Sequence, residues 1–262
     1  MKTDLYEQPR EVERLSDCHF YHTMDLPGVG TVDGQWDLRG RLDEYIGGVQ
    51  VTGRRVLDLG TASGFLSFEM EKRGAEVVSF DADSVDRFAR LPFQSSLYTT
   101  NRMEWRRQTG LLHNAVQNSY WLAHRLYGSR NKAFYGDVYD PPDELGMFDI
   151  VVVGQILVHL RDPITALTSV ARRCADTLVI VEGMVDSNDP VMWLCADPET
   201  GPDWSWWHLS IGLYRTVLTM MRFEIVKITE NRFPCNHGTA DGLVLLKTLE
   251  ARRKPPGNSA AL

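Results

Sequence analysis

Short runs of consecutive apolar residues recur along this chain, and stretches with helical spacing separate them. Strands that are apolar throughout are buried on both faces, which is typical of a parallel sheet covered by helices. Such strands are predicted at residues 54–60, 76–82, 132–135, 148–153 and 177–182. Helices are predicted at 65–73, ended by Gly74, and at 163–174, capped by Asp162. The pattern therefore predicts an α/β fold.

The last part of the chain breaks this alternation. A helix is predicted over residues 209–221 and a strand over 223–228, but the next strand, 242–247, follows without an intervening helix. Two strands joined by a loop of about a dozen residues form an antiparallel hairpin. We therefore expect the sheet to end in such a hairpin, whereas most dinucleotide-binding folds continue with parallel strands.

A glycine turn follows the first strand and marks a ligand site. Asp58 lies at the end of that strand, Gly60 and Gly64 flank the turn, and a helix begins directly after them. Glycine permits a tight turn and a close approach, and the free N–H groups at the helix start can meet an adenosyl ligand. Asp81 ends the next strand, 21 residues beyond Gly60, where an acid can accept both ribose hydroxyls. Because ligands of open α/β sheets bind at the carboxyl ends of the strands, these features together predict an adenosyl site.

Two details of the turn favour S-adenosylmethionine over a nicotinamide dinucleotide. The dinucleotide fingerprint has three glycines, whereas this turn has Gly60 and Gly64 with Ala62 between them, so the pyrophosphate cradle is incomplete. Asp58 would also repel a pyrophosphate, whereas it could bind an ammonium group. A sulfonium amino acid fits the turn better.

The segment Asp-Leu-Gly-Thr-Ala-Ser-Gly at 58–64 resembles the first motif of class I S-adenosylmethionine-dependent methyltransferases. The segment Gly-Asp-Val-Tyr at 136–139 resembles their adenine-contacting segment, and the resemblance spans about residues 54–247. It implies a Rossmann-like class I methyltransferase fold, with a seven-stranded, mostly parallel sheet that ends in an antiparallel hairpin. It also implies S-adenosyl-L-methionine as the cofactor and methyl transfer as the reaction. Ala62 departs from the family, which usually has a central glycine there.

Three further segments, 20–27, 34–39 and 154–167, resemble the methyltransferase family that contains the tRNA wobble-uridine carboxymethyltransferases and uncharacterised relatives. This narrower resemblance implies that the Tyr-His and Trp-Asp-x-Arg segments fold over the cofactor. The tRNA enzymes carry a longer N-terminal part and a His-Pro-Trp-Arg-like stretch, which this sequence lacks. We therefore expect a small-molecule acceptor, methylated on oxygen or nitrogen and belonging to biosynthetic metabolism. A tRNA wobble-uridine methyl or carboxymethyl transferase is the alternative, and a non-catalytic adenosyl-binding protein is a third.

Position and resemblance together assign the cofactor contacts. Asp58 is expected at the methionyl ammonium, Asp81 at the ribose, and Arg39 at the methionyl carboxylate, with a surface salt bridge as the alternative for Arg39. Tyr21 would press its ring on the cofactor, since a sulfonium favours an aromatic face. The predicted cofactor-binding residues are Tyr21, Arg39, Asp58, Gly60, Thr61, Gly64, Asp81, Ala82, Asp137, Val138, Gly154 and Gln155.

Methyl transfer to a hydroxyl or amine often needs a base that takes the acceptor's proton. His159, six residues after the fourth strand, and His22, in the N-terminal segment, are the predicted catalytic residues. The acceptor is expected under two unusual segments, the long connection from 83 to 131 and the tryptophan-rich stretch near 193–208. The residues predicted to contact it are Trp105, Arg106, Tyr120, Trp204, Trp207 and His208.

Charge and composition limit the partners. The chain carries 28 basic and 35 acidic residues, a net charge of −7, which argues against a general grip on nucleic acid. Residues 99–132 are locally basic, with six basic side chains and one acidic one, so an anionic group on the acceptor or a short piece of nucleic acid stays open. No C-x-x-C pair could hold zinc, and no metal is predicted.

The predicted organisation has three parts. Residues 1–53 form an N-terminal lid over the cofactor, 54–250 form the methyltransferase domain with a substrate-covering helical insert at about 84–131, and 251–262 form a disordered tail. The longest apolar run, 150–158, is too short for a membrane span, and the charged N-terminus lacks the apolar core of a signal peptide. We therefore expect a cytoplasmic protein that does not cross a membrane; a homodimer stays open.

Overall fold

The computed structural model describes residues 4–197, 202–236 and 241–255. The strands are β1 (Met24–Leu26), β2 (Gly30–Val32), β3 (Arg55–Leu59), β4 (Glu76–Ala82), β5 (Lys132–Gly136), β6 (Phe148–Gly154), β7 (Cys174–Glu182), β8 (Met192–Leu194), β9 (Trp207–Leu209), β10 (Phe223–Pro234) and β11 (Leu243–Arg253). The α-helices are α1 (Leu42–Tyr45), α2 (Phe65–Lys72), α3 (Leu97–Thr100), α4 (Arg102–Tyr127), α5 (Pro163–Ala171) and α6 (Ile211–Met220). A short 3-10 helix, Leu157–His159, follows β6.

Seven strands form the main sheet, in the order β10-β11-β7-β6-β3-β4-β5. The pairs from β7 through β6, β3 and β4 to β5 are all parallel. Strand β11 pairs antiparallel with both β7 and β10. The predicted α/β fold, with a mostly parallel seven-stranded sheet and a C-terminal antiparallel hairpin, is confirmed.

The central strands contain continuous apolar runs because both of their faces are covered. Val152 and Val179 pack in the core layer that holds α2 and the C-terminal half of α4. Val151 and Leu178 face the opposite layer, which holds α5 and α6. Burial on two faces explains why no polar residue interrupts residues 150–153 of β6 or 178–181 of β7. The strand ends, where polar residues begin, therefore lie together at one edge of the sheet.

Several predicted boundaries differ from the structure. The hairpin strands are longer than predicted, since β10 continues to Pro234 and β11 to Arg253. The helix predicted to reach residue 174 ends at Ala171, because Cys174 already begins β7. Leu209 belongs to β9, and α6 starts after Ser210, whose side chain accepts the N–H of Leu213 as an N-cap.

The predicted tail, 251–262, begins inside a strand. Arg253 donates to the carbonyls of Cys174 and Ala171 and stacks over the ring of Phe223, which fixes the end of β11 against the domain. The tail prediction was therefore wrong for residues 251–253. Residues 256–262 lie outside the described part of the chain.

The long connection between β4 and β5 is built around α4. The C-terminal half of this 26-residue helix, including Trp121 and Ala123, is buried in the core against the sheet. Its N-terminal half is largely exposed, as Met103 and Leu111 illustrate. Only the N-terminal half is therefore free for the predicted substrate-covering role. Neither α4 nor any other helix in the described ranges is long and apolar enough to cross a lipid bilayer.

Candidate active site

The turn after β3 depends on glycine at two positions. Gly60 and Gly64 have φ angles of 79° and 87°, in the left-handed region that favours glycine. A Cβ atom on Gly64 would lie 2.5 Å from a ring carbon of Phe68 and 2.7 Å from one of Tyr120. One on Gly60 would lie 3.2 Å from the side chain of Ile156, which follows β6. Glycine is required here because neighbouring side chains come this close to the turn.

The carboxylate of Asp81, at the end of β4, holds the turn from the neighbouring strand. One oxygen accepts the N–H of Ala62 at 2.8 Å, and the other accepts the N–H of Ala82 at 2.7 Å. Burial raises the pKa of Asp81, and these two bonds oppose the rise. A carboxylate has about four acceptor positions, so Asp81 can take further hydrogen bonds. The glycine turn and Asp81 therefore lie side by side, as the sequence predicts.

Ala62 occupies the third position of the turn in a left-handed conformation, with a φ of 49°. This conformation costs an L-residue about 1–2 kcal/mol, and the bond to Asp81 helps to hold it. At the position where the family usually has glycine, the backbone of this chain therefore adopts a conformation that glycine favours.

Asp58 is buried behind the turn, with 1% of its surface exposed. Its carboxylate accepts hydrogen bonds from Thr61 at 2.9 Å and from Ser67 at 2.6 Å. The Ser67 hydroxyl also contacts that of Ser79 at 2.7 Å, so a polar network links β3, the turn, α2 and β4. Burial raises the pKa of Asp58 to about 6, against these hydrogen bonds. The geometry therefore gives Asp58 and Thr61 the task of shaping the turn; their direct contact with a ligand stays a prediction.

The predicted adenine-side residues follow β5. One oxygen of Asp137 accepts the N–H of Tyr139 at 2.9 Å, and the other pairs with Arg87 at 2.7 Å. Arg87 also pairs with Asp83, so it bridges the connections that leave β4 and β5. Val138 packs against the core on the side of α5. Asp137 thus reaches the predicted edge of the sheet with one oxygen already engaged by an arginine.

A polar group behind Asp81 was missed by the sequence analysis. Gln117 on α4 is buried, contacts the carbonyl of Ala82 at 3.4 Å and the ring of His113 at 3.3 Å, and accepts a hydrogen bond from Arg10 at 2.7 Å. Asp81 raises the pKa of His113, against the larger effect of burial, which lowers it. The helical spacing of α4 hid this group, because spacing alone does not tell which polar residue faces the end of β4.

The N-terminal segment crosses the glycine turn. The backbone N–H of His22 donates to the hydroxyl of Ser63 at 3.1 Å, and the hydroxyl of Tyr21 accepts a hydrogen bond from the indole of Trp36. The His22 ring is buried against Tyr21 and Phe65, and burial lowers its pKa to about 3. Such a weak base is a poor proton acceptor, so the structure favours a packing role for His22 over the predicted catalytic one.

Arg39 does not face the site as predicted. Its guanidinium binds Asp37 through two nitrogens, at 2.9 and 2.8 Å, and Asp25 at 2.7 Å. These pairs fasten the β1–β2 hairpin to the residues that follow it. The prediction that Arg39 holds the cofactor carboxylate was wrong, because two acidic side chains already occupy its planar fork.

The residues that follow β6 are strained and polar. Gln155 has a φ of 53°, and its backbone N–H donates to the carbonyl of Val181 on the neighbouring strand. A Cβ atom on Gly154 would lie 2.7 Å from the hydroxyl of Tyr45. Strained backbone is often found at functional sites. The end of β6 therefore remains a candidate for ligand contact.

His159 is held in one orientation by the chain that precedes β9. Its Nδ1 lies 2.9 Å from the carbonyl of Trp204, so Nδ1 carries the proton and Nε2 is left as the basic nitrogen. Burial lowers the pKa of the ring. His159 is therefore neutral near pH 7 and has the tautomer that a base at Nε2 requires.

Glu182, the last residue of β7, is a candidate that the sequence analysis gave no role. Only 4% of its surface is exposed, and its carboxyl group accepts the N–H of Leu157 at 2.8 Å. Burial raises the pKa of Glu182 to about 8. One sequence feature could have pointed to this residue: Glu182 is the single acidic residue that ends the apolar run 178–181.

A sequence profile described as a methyltransferase domain matches residues 37–220. The chain belongs to this family. No curated protein matches the sequence.

Solved structures share the fold of this methyltransferase domain. Magnesium protoporphyrin IX methyltransferase from Synechocystis PCC 6803, with bound S-adenosylhomocysteine, has a TM-score of 0.52 and 14% identity, covering 81% of this chain and 80% of that one. A SAM-dependent methyltransferase from Methanosarcina mazei has a TM-score of 0.51 and 20% identity, covering 83% and 98%. A protein from Pyrococcus horikoshii, provisionally described as an RNA methyltransferase, has a TM-score of 0.50 and 15% identity, covering 82% and 84%. At these identities the likeness establishes the fold.

Three residues of this methyltransferase that were predicted to contact the acceptor have other partners in the structure. Tyr120 is fully buried in the core and donates to Ser79 at 3.0 Å, so the prediction that it touches the acceptor was wrong. Trp105 is buried against the ring of Tyr98, and the exposed Arg106 pairs with Asp86 at 2.6 Å. The aromatic residues of α4 are mainly core residues, which their helical spacing could not reveal.

The tryptophan-rich segment lies nearer to the predicted site. Trp207 and His208 line a partly enclosed cavity of about 190 Å³ beside the ends of β6 and β7. Trp204 is half exposed, and its backbone carbonyl orients His159. The structure thus brings Trp207 and His208 together with Gln155 and Glu182, whereas Trp204 acts on the site through its backbone.

Proposed function

We propose that this methyltransferase domain transfers a methyl group from S-adenosylmethionine to the oxygen or nitrogen of a small-molecule acceptor. The cofactor proposal rests on one observation. The glycine turn and Asp81 lie at neighbouring strand ends, and the N–H of Ala62 in the turn donates to the Asp81 carboxylate at 2.8 Å. An adenosyl compound needs both, since turn N–H groups meet its polar end and the acid accepts its ribose hydroxyls. Bound S-adenosylhomocysteine in the Synechocystis enzyme of the same fold is consistent with this proposal.

The residues around the turn fit such a cofactor. Asp81 is partly exposed and has acceptor positions left for the ribose, and Val138 offers an apolar contact near the adenine side. Gly60 follows β3 and Gly154 ends β6, so both lie where these neighbouring strands end. When bound, S-adenosylmethionine would supply a methyl group on a cationic sulfonium. Apart from Arg39, the remaining predicted contacts, Tyr21 among them, are proposed on the same basis.

The chain's own task in the reaction is to exclude water, orient the acceptor and take its proton. Two groups near the ends of β6 and β7 can take a proton, the Nε2 atom of His159 and the carboxyl group of Glu182. Both are held by backbone hydrogen bonds, so their orientation does not depend on a ligand.

Two observations support a small-molecule acceptor over tRNA. The cavity of about 190 Å³ is slightly larger than a cavity of about 150 Å³ that holds one benzene molecule, so it suits a small molecule. Two arginines of the basic segment already have acidic partners, since Arg106 pairs with Asp86 and Arg107 pairs with Glu104, each at 2.6 Å. An arginine that is already held in an ion pair contributes less to the binding of nucleic-acid phosphates than a free one.

Calorimetry with S-adenosylhomocysteine tests the cofactor proposal. We expect one site per chain and an affinity that falls at least tenfold in Asp81→Asn, because the amide donates where the ribose also donates. Asp83→Asn is the matched control: it lies two residues further on, pairs with Arg87, and should change the affinity less than threefold. Equal affinities of Asp81→Asn and the wild type would contradict the assignment of the ribose.

Transfer of a labelled methyl group tests the acceptor class. The enzyme is supplied with labelled S-adenosylmethionine and either a metabolite extract or tRNA. We expect label in small molecules and none in tRNA. Label in tRNA alone, with a rate that falls steeply as salt rises, would support the tRNA alternative instead.

A further inference from the structure

We propose that the acceptor binds in the cavity beside the ends of β6 and β7, that it is a single-ring compound with a hydroxyl or amine group, and that Glu182 takes the proton it loses. This inference rests on the proposed function, because the cavity adjoins Gln155, where that proposal expects the sulfonium. It adds the site, the size of the acceptor and the base.

The volume of the cavity sets the size of the acceptor. The cavity measures about 190 Å³, whereas an apolar protein cavity of about 150 Å³ holds one benzene molecule. Its apolar walls come from Val158, Trp207, Leu209, Val244 and Leu246. One ring with a small substituent therefore fills this volume, and a fused second ring would extend beyond it towards the open side of the cavity.

Two lining residues carry buried polar atoms that need a partner. Within the described ranges, the Nε2 atom of Gln155 and the hydroxyl of Tyr214 form no hydrogen bond. A buried polar group without a partner costs about 1–3 kcal/mol, so such groups normally have a role. Both atoms are covered when the cavity is empty, so a polar substituent on the ring would satisfy either one after its side chain turns towards the cavity. The acceptor is therefore expected to be apolar in its body and polar at one end.

Glu182 lines the cavity together with His208, and the phenol and thiol groups whose charges would act on Glu182 are uncharged near pH 7. These are Tyr21, Tyr45, Tyr214 and Cys195, from the N-terminal segment, α1, α6 and the chain after β8. Lys247 stands opposite Glu182 in the β7–β11 register, but its ammonium binds Asp186 at 3.0 Å and also binds Glu230. Without a cation beside it, the carboxyl group keeps its proton until a positive charge arrives.

A sulfonium at the end of β6 would supply that positive charge. A nearby cation favours the ionised form of a carboxyl group, so Glu182 would become a carboxylate when the cofactor is in place. A lone pair of the acceptor oxygen or nitrogen then forms a bond to the methyl carbon. The methyl–sulfur bond breaks and its electron pair stays on sulfur, which becomes a neutral thioether. The acceptor's proton moves to the Glu182 carboxylate. His159, by comparison, does not line the cavity within the described residues.

The first arm of the test measures binding. Phenol and 1-naphthol are titrated into protein saturated with S-adenosylhomocysteine, and binding is followed by saturation-transfer NMR. We expect phenol to bind and 1-naphthol to bind at least tenfold more weakly. Val244→Trp places an indole at a partly exposed wall position and should weaken phenol at least tenfold, with S-adenosylhomocysteine affinity unchanged within threefold.

Several binding results would overturn the proposal. They are equal binding of phenol and 1-naphthol, unchanged phenol binding by Val244→Trp, or no phenol binding at all to protein that does bind S-adenosylhomocysteine. A failure of S-adenosylhomocysteine itself to bind would instead contradict the proposed function, so the two failures are distinguishable.

The second arm measures single-turnover methyl transfer from S-adenosylmethionine to monocyclic phenols and anilines. We expect transfer by the wild type and a loss of at least 100-fold in Glu182→Gln, with the affinity for S-adenosylhomocysteine, which carries no sulfonium charge, changed less than threefold. Glu224→Gln removes an exposed carboxyl group on β10 and serves as the control. His159→Asn, which can keep the bond to Trp204, should lose less than tenfold.

A loss in His159→Asn as large as that in Glu182→Gln would move the role of base to the histidine. Retention of more than a third of the rate by Glu182→Gln would overturn the proposal. So would the absence of methylation for every single-ring compound that binds.

Discussion

Replacing Glu182 by Gln should make the protein more stable, and increasingly so as the pH rises. Burial raises the pKa of Glu182 from an ordinary value of 4.5 to about 8. The folded state therefore binds this proton more tightly than the unfolded chain does. The stability that this proton contributes is complete below about pH 4.5 and is lost as the pH rises to about 8. Glutamine keeps an oxygen for the N–H of Leu157 and does not ionise.

The magnitude follows from the two pKa values. Each pH unit within that range changes the free energy of unfolding by about 1.4 kcal/mol per proton, less near its ends. The stability gained by Glu182→Gln over the wild type should therefore grow by about 3 kcal/mol between pH 5 and pH 8. Any constant cost of the new amide cancels in this difference.

Urea unfolding at pH 5, 6, 7 and 8 measures the effect in both proteins. Glu224→Gln, the exposed control, should follow the wild type within about 0.5 kcal/mol at every pH. Parallel stability curves for Glu182→Gln and the wild type would refute the reasoning, because they would mean that Glu182 titrates alike in the folded and unfolded states.

Three further substitutions test the description of the turn and its surroundings. Ala62→Gly should raise the free energy of unfolding by about 0.5–1 kcal/mol in urea, because glycine relieves the left-handed strain and this gain exceeds its larger entropy in the unfolded chain; a loss of stability would contradict the strain. Gly64→Ala should destabilise the fold by more than about 2 kcal/mol, since the new Cβ atom meets Phe68 at a left-handed position, and an unchanged melting temperature would be evidence against the close approach. Arg39→Gln should leave S-adenosylhomocysteine affinity in calorimetry within threefold of the wild type, because the guanidinium is held by Asp37 and Asp25; a tenfold loss would restore the carboxylate contact.

The central strands could be predicted from the sequence because their residues are apolar on both faces. Strand β4 has the bounds Glu76–Ala82, as the prediction gives them. Strand β10 was cut short in the prediction because it lies at the edge of the sheet and carries exposed charges such as Glu224 and Lys227. An edge strand gains its length from pairing with its neighbour, and local composition does not report that pairing.

The glycine turn and Asp81 could be predicted because their positions depend only on where two adjacent strands end. Arg39 could not, since its partner Asp25 lies on a different strand and their contact depends on how the hairpin folds back. Tyr120 and Glu182 illustrate the same limit. Helical spacing did not show that Tyr120 faces the core. The local sequence likewise did not show that Glu182 is buried, close enough to Tyr45, from far earlier in the chain, for its charge to act on that side chain.

The central claim is that the glycine turn and Asp81 hold an adenosyl sulfonium compound. A crystal of the protein soaked with S-adenosylhomocysteine tests this most directly. We expect electron density for S-adenosylhomocysteine across the turn from Gly60 to Gly64. Its ribose hydroxyls should lie within hydrogen-bond distance of Asp81, and its sulfur should lie towards Gln155. Density elsewhere on the protein, with the turn left vacant at saturating ligand, would contradict it.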